Sequence, residues 1–442
     1  MAKRLTKLGV SLALGAAAAM TAMGAHAADP AKVLNIYNWS DYIAEDTIKN
    51  FEKETGIKVR YDNYDANEIL HAKLVAGKTG YDIVVPGAHF AKAQIEGGLL
   101  QKLDKNKLTN WSNLDKGILE QMAKLDPGNQ YLVDWLWGYV TVGINVDKVK
   151  AALGNTPMPD NAWDLLFKPE YVSKFKKCGV SVLDSASEVV PIALMYAGKS
   201  PYSKDEADYK AAADALKAIR PYVTRFSSSG YIEEMASGAT CLVMGFAGDI
   251  NIARARAAEA KTKSPVVIEA LVPNSGSIMY FDSMAIPKDA KNVENAHLFI
   301  NYILRPEVHA SLTNKVFYAN PNAASLKFVK KDVAENKTIF LGVAVAKTMV
   351  PAESLPQAIR KVQTALSPTS RLRVKRIGRA SPLALSPGPW SWTDPVSSLH
   401  PHLSMFRQFA GRAGCSGWRN VHNSHSGPSR TPADWGRLTL RR

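Results

Sequence analysis

Between residues 33 and 86 the hydrophobic pattern changes period four times, and this alternation constrains the fold more than any other feature. Val33-Leu34-Asn35-Ile36-Tyr37 reads as a strand, and a helix follows around 43–55 with Ile43, Ile48 and Phe51 on one face. Lys58 to Tyr61 reads as a second strand, 66–77 as a second helix, and Tyr81 to Pro86 as a buried strand. The order βαβαβ predicts an α/β fold, a mostly parallel sheet covered by helices. Residues 132–146 form one apolar run, too long for a strand confined to one small sheet, and predict a segment that crosses between two lobes. A second α/β unit is expected over about 147–248, with a helix from 204 to 219 and a strand at 241–246. The strand Ile278 to Ile286 returns toward the first lobe, and helices around 294–303 and 306–315 precede Val316-Phe317-Tyr318. Two lobes joined by more than one crossing make a hinged clam-shell. Lobe 1 is expected over 28–138 and 249–306, lobe 2 over 139–248 and 307–364.

Both ends differ from this body. Residues 1–27 read as a secretory signal: Lys3, Arg4 and Lys7, then an Ala-rich apolar run, then Ala25-His26-Ala27 as the cleavage site. No later apolar run is long enough to span a bilayer, so export to a bacterial periplasm without membrane insertion is expected. At Ala365 the texture changes: residues 1–364 hold 35 Lys to 8 Arg, whereas 365–442 hold 1 Lys to 11 Arg with scattered Pro, Ser, Gly and Trp. Such a stretch lacks the period of a packed element and reads as an unstructured or frame-shifted tail. The formal charge of +15 suggests nucleic-acid binding until it is localised. The signal carries three positive charges and the tail a net ten, which leaves the body near +2 and argues for no nucleic-acid partner. No Cys/His cluster has metal-ligand spacing, and no cofactor motif is present. Cys178 and Cys241 precede strand-like runs and could pair in an oxidising compartment, two buried free thiols being the alternative.

Three predicted strand-to-loop junctions place an aromatic within three residues of an Asp: Trp39-Ser40-Asp41-Tyr42, Phe246-Ala247-Gly248-Asp249 and Tyr280-Phe281-Asp282. Glu188 and Tyr318 lie near two further junctions. In open α/β sheets ligands bind outside the carboxyl ends of strands. Flat apolar walls suit methylene groups, and carboxylates beside π faces suit ammonium ends, so the set fits an alkyl diamine. Burying four methylenes is worth about 3 kcal/mol. A micromolar complex needs about 8 kcal/mol, so charged hydrogen bonds supply most of the rest. Taken singly, Asp249 could be a helix cap, Glu188 a solvated charge at a helix start, and the aromatics rim packing.

The stretches Asn35–Tyr42, Tyr81–Pro86, Cys178-Gly179-Val180-Ser181, Gly248-Asp249 and Val316–Asn320 resemble the periplasmic polyamine-binding proteins of ABC importers, the putrescine-binding branch and its spermidine-preferring relatives. The resemblance implies a two-lobed periplasmic binding protein of type II with a hinged interlobe cleft. It implies a monomer that carries a polyamine to an inner-membrane permease and is not an enzyme. It further implies a Cys178–Cys241 bridge, Trp39 stacked on the alkyl chain opposite Phe246 and beside Tyr318, and Ser40, Asp41 and Tyr42 around one ammonium. Glu188, Asp249 and Asp282 would bind amines from other walls, with Tyr280 close by. This chain has Phe246 where that branch usually has Trp, Gly87 where it usually has Ser, and Tyr280 in place of a more apolar aromatic. Receptors for a sugar or a ferric ion, and a two-carboxylate glycoside hydrolase, are the rival readings. No Tyr/His cluster supports iron, and no catalytic motif supports hydrolysis.

Overall fold

A computed structural model describes residues 32–260 and 265–367. The expected signal, and the expected tail from residue 368 onward, lie outside the described residues. The strands in chain order are β1 (Val33–Trp39), β2 (Lys58–Tyr64), β3 (Ile83–Val84), β4 (Leu100–Gln101), β5 (Val133–Asn145) and β6 (Val180–Val182). They continue with β7 (Arg225–Phe226), β8 (Leu242–Phe246), β9 (Ile268–Leu271), β10 (Ser277–Met284), β11 (Ile286–Pro287) and β12 (Met349–Pro351).

The opening alternation builds a three-stranded sheet in the order β2-β1-β3, all pairs parallel, with Ile36 opposite Tyr61 and Ile83. The first helix, Thr47–Thr55, starts later than the apolar period suggests and leaves Ile43 outside it. Asp41, with φ near +55°, turns the chain out of β1 before the helix can begin. The helix stops at Gly56, whose left-handed backbone suits a residue without a side chain.

The second sheet runs β12-β10-β5-β8-β6-β7, with β9 also on β5. The apolar run at 132–146 is a single 13-residue strand. Its first half pairs antiparallel with β10, Met284 opposite Val133 and Met279 opposite Tyr139. Its second half pairs with β8 and β9, Val140 opposite Phe246 and Asn145 opposite Ile268. Burial on both faces explains why its sequence shows no alternation. Main-chain bonds from Val84 to Ala285 and from Ser283 to Pro86 tie β10 to the first sheet.

Cys178 and Cys241 form a disulfide with Cα atoms 5.5 Å apart, joining the segment before β6 to the start of β8. The bridge closes a 63-residue loop, which by loop-closure entropy is worth about 4 kcal/mol. The Cys178→Ser, Cys241→Ser double variant is expected to lose about that stability; urea unfolding of the two proteins checks it.

Candidate functional site

The loop ends of β1, β2 and β8, one face of β10, and the starts of helices Ala186–Tyr196 and Ala247–Glu259 meet at a cleft. About 510 Å³ of space lies between its walls, the open mouth included. Trp39, Ser40, Tyr42, Glu188, Phe246, Asp249, Tyr280, Asp282 and Tyr318 all line it. Asp41 is the exception among the expected residues: it sits outside the lining, exposed and ion-paired with Arg256.

Trp39 is the last residue of β1, and its indole Nε1–H donates to the Val85 carbonyl at 2.9 Å. Tyr64 donates to the same oxygen, and the two rings lie 4.6 Å apart. Phe246 ends β8 and meets Tyr280 edge-on at 5.3 Å. Tyr42 meets Tyr318 edge-on at 4.7 Å. The Tyr280-Phe281-Asp282 stretch is not a strand end, contrary to expectation: it lies inside β10. Strand alternation sends Tyr280 and Asp282 into the cleft, and Phe281 packs on the other face against Trp137. Two glycines make the aromatic arrangement possible. A Cβ on Gly138 would come within 2.8 Å of the Tyr280 hydroxyl, and one on Gly248 within 2.1 Å of the Tyr318 ring.

Each carboxylate is held by a hydroxyl. Tyr231 and Tyr318 each donate to Asp249 at 2.6 Å, one to each oxygen. Tyr42 donates to Asp282 at 3.1 Å, and Ser187 to Glu188 at 2.7 Å. Asp249 is therefore no helix cap: it lies in the first turn of helix Ala247–Glu259, whose capping residue is Phe246. Glu188 is no solvated charge, since only 6% of it is exposed.

No Lys or Arg lines the cleft among the described residues. Burial pushes Asp249 up to about 7 despite the two phenol donors. Burial, then the neighbouring Glu68 charge, raises Glu188 to about 7. Burial also raises Asp282 well above the usual carboxylate range. His89, at one edge, is held neutral by burial, its value lowered to about 4. The cleft thus concentrates acids that resist ionising without a cation.

Sequence reasoning missed Tyr231, Tyr64 and Asp65. Tyr64-Asp65 repeats, at the end of β2, the aromatic–acid pairing already noted after β1. Tyr231 follows the Ser227-Ser228-Ser229-Gly230 loop, and only the fold brings it to Asp249.

A cleft between two α/β layers that share one long strand, lined by aromatics and acids, defines a solute-binding protein. The solved structure of a putative spermidine/putrescine ABC transporter protein from Listeria monocytogenes superposes with a TM-score of 0.67 at 31% identity, covering 76% of this chain and 97% of its own. The substrate-binding protein PotD of a spermidine/putrescine ABC transporter from Streptococcus pneumoniae gives 0.60 at 27% identity, with 76% and 97% covered. The fold is the type II periplasmic binding fold expected from the sequence. The profile of the bacterial extracellular solute-binding proteins matches residues 46–340. The putrescine-binding periplasmic protein SpuD of Pseudomonas aeruginosa is 46% identical over 365 residues, 82% of this chain and 97% of its own length. The putrescine-binding periplasmic protein PotF of Escherichia coli is 46% identical over 334 residues, 75% and 90% respectively. The chain belongs to the bacterial extracellular solute-binding proteins, and is a binding protein rather than an enzyme.

The raised carboxyls set a pH dependence for the empty protein. Between about pH 4 and 7 the folded state holds protons that the unfolded chain has released, so stability falls as pH rises through that window. Thermal melts from pH 5 to 8 are expected to show this fall, and the Asp249→Asn variant a shallower one.

Proposed function

We propose that this protein captures a polyamine, putrescine foremost, in the cleft and delivers it to an ABC permease of the inner membrane. One observation carries the reading: three buried carboxyl groups share an aromatic cleft whose lining, among the described residues, contains no Lys or Arg. A diammonium ligand supplies the missing charge at both ends. Trp39 and Phe246 offer faces for its methylenes, with the Tyr280 and Tyr318 rings completing an apolar middle. Tyr42 donates to Asp282, and Tyr231 and Tyr318 donate to Asp249, which presents these acids to the ammonium groups, while Ser40 lines the cleft with its hydroxyl donating to Asp65. Asp41 acts at the rim, through its pair with Arg256. The names of the relatives, putrescine-binding and spermidine/putrescine-binding, support the same ligand class.

In this reading the protein reaches the periplasm through the signal at residues 1–27 and works as a monomer that closes about a hinge. For the lobes, helix Ala247–Glu259 packs against helix Tyr231–Ala236 and β9 pairs with β5, which supports placing residues 249–260 and 268–271, expected in lobe 1, with lobe 2 instead.

Isothermal titration with putrescine, cadaverine and spermidine tests the proposal, and no heat with any of the three would sink it. Asp249→Asn is expected to weaken binding by about tenfold or more, the scale of one charge-assisted hydrogen bond; unchanged affinity would reduce Asp249 to a structural acid. Because protons compete with the ligand for Asp249, affinity is expected to fall as pH drops from 8 to 5.

A further inference from the structure

Behind Glu188 lies a chain of hydroxyls that ends on a second carboxyl group. Ser187 Oγ is 2.7 Å from Glu188 Oε2, Ser185 Oγ is 2.9 Å from Ser187 Oγ, and Ser185 Oγ is 3.4 and 3.5 Å from the two oxygens of Glu68. The two serines are 5% exposed and Glu188 6%. Glu68 comes from helix Asn67–Ala76, whose Leu70 and Leu74 pack on Tyr37 and Tyr64 over the first sheet. Ser187 and Glu188 open helix Ala186–Tyr196, with Ser185 just before it, beside the second sheet. The chain therefore bridges elements from the two sides of the cleft.

Counting protons shows what this arrangement requires. Along the shortest path there are three oxygen–oxygen contacts, which as hydrogen bonds need three protons, and the two serines supply one each; the Ser187 backbone N–H also donates to Glu68. The third must sit on a carboxyl group, so the chain is fully satisfied when Glu68 and Glu188 hold one proton between them. Two arrangements satisfy it equally. With the proton on Glu188, every donor points toward Glu68; with the proton on Glu68, every donor points toward Glu188.

We propose that Glu68, Ser185, Ser187 and Glu188 form a proton relay that moves one proton from Glu188 to Glu68 when a cation enters the cleft. Glu188 gives its proton to Ser187 Oγ, Ser187 gives its own to Ser185 Oγ, and Ser185 gives its own to a Glu68 oxygen. Every hydroxyl ends with one proton, Glu188 becomes the anion that the ammonium pairs with, and no proton leaves the protein from this pair. Glu68 is thus a positioning residue that acts through the serines. The inference rests on the polyamine reading of the cleft.

The surroundings favour a shared proton. The groups facing Glu188 are acids and phenols: Asp184 from the preceding segment, Tyr202, and Tyr280 and Asp282 from β10. None offers a positive charge. On the Glu68 helix, His71 faces Arg360, and burial and that charge both lower its pKa. Burial raises Glu68 as well as Glu188, so neither carboxyl ionises readily beside the other.

Carbon-13 NMR of the full chain carrying carboxyl-labelled glutamate tests this at pH 6, with Glu68→Gln and Glu188→Gln to assign the two signals. On saturation with putrescine the Glu188 carboxyl is expected to shift toward its ionised position and Glu68 toward its protonated one. A Glu68 signal that stays in place while putrescine binds overturns the relay. Calorimetry in buffers of differing ionisation enthalpy gives a second reading. Ser187→Ala cuts the chain, and is expected to release about one more proton per putrescine than the parent at pH 6. Equal release overturns the relay, whereas absence of heat from the parent overturns the polyamine reading instead.

Discussion

The walls of the cleft that come from the second sheet hang from the backbone ladder of β5. Its register with β10 fixes where Tyr280 and Asp282 stand, and its register with β8 fixes Phe246 and the helix that carries Asp249. The irregularity in the ladder between Asp282 and Ser283 falls where β10 meets the first sheet through Pro86 and Gly87. A one-residue slip along β5 would turn Tyr280 and Asp282 to the opposite face. Burial of Trp135, Leu136, Val140 and Val142 on β5 makes such a slip costly, because each would exchange a packed environment for another's space.

Held this rigidly, the site can keep an unfavourable charge distribution. Buried acids with no cation in the lining raise the energy of the cleft, and the phenols of Tyr42, Tyr231 and Tyr318 offset part of it by donating to them. The remainder is relieved by protons or by a ligand. Affinity and proton uptake are therefore two outlets for one electrostatic imbalance, and the hydroxyl chain behind Glu188 belongs to the same economy of charge.

Much of this was legible in residue order. The switch between periods near 2 and 3.6 defined the parallel sheet, and the length of the 132–146 run marked a strand shared by two regions. Trp39, Phe246 and Asp249 were visible because strand ends followed by helices mark binding edges in α/β folds. Tyr280 and Asp282 were found with the wrong local structure: their same-face placement comes from alternation within a strand, not from a loop. Asp41 was misplaced because its pairing with Arg256 spans 215 positions, a distance no local pattern encodes. Tyr231 and Glu68 stayed hidden for the same reason, since each gains its role from a partner on a different element. Tyr64-Asp65 was within reach, as it repeats a pattern already recognised one strand earlier.

The glycines at 138 and 248 have a consequence for how such a receptor diversifies. Backbone carbons there sit so close to Tyr280 and Tyr318 that any side chain would evict a ring. The floor of the cleft is thus closed to adjustment, and variation in ligand size is confined to the rings and the rim. Phe246 and Tyr280, two of the three positions where this chain departs from the pattern of the family it resembles, are among those rings, whereas Gly87 is buried and a Cβ there would meet His89 at 2.9 Å. A lineage can retune its cargo by exchanging one aromatic for another while the backbone beneath is inherited unchanged.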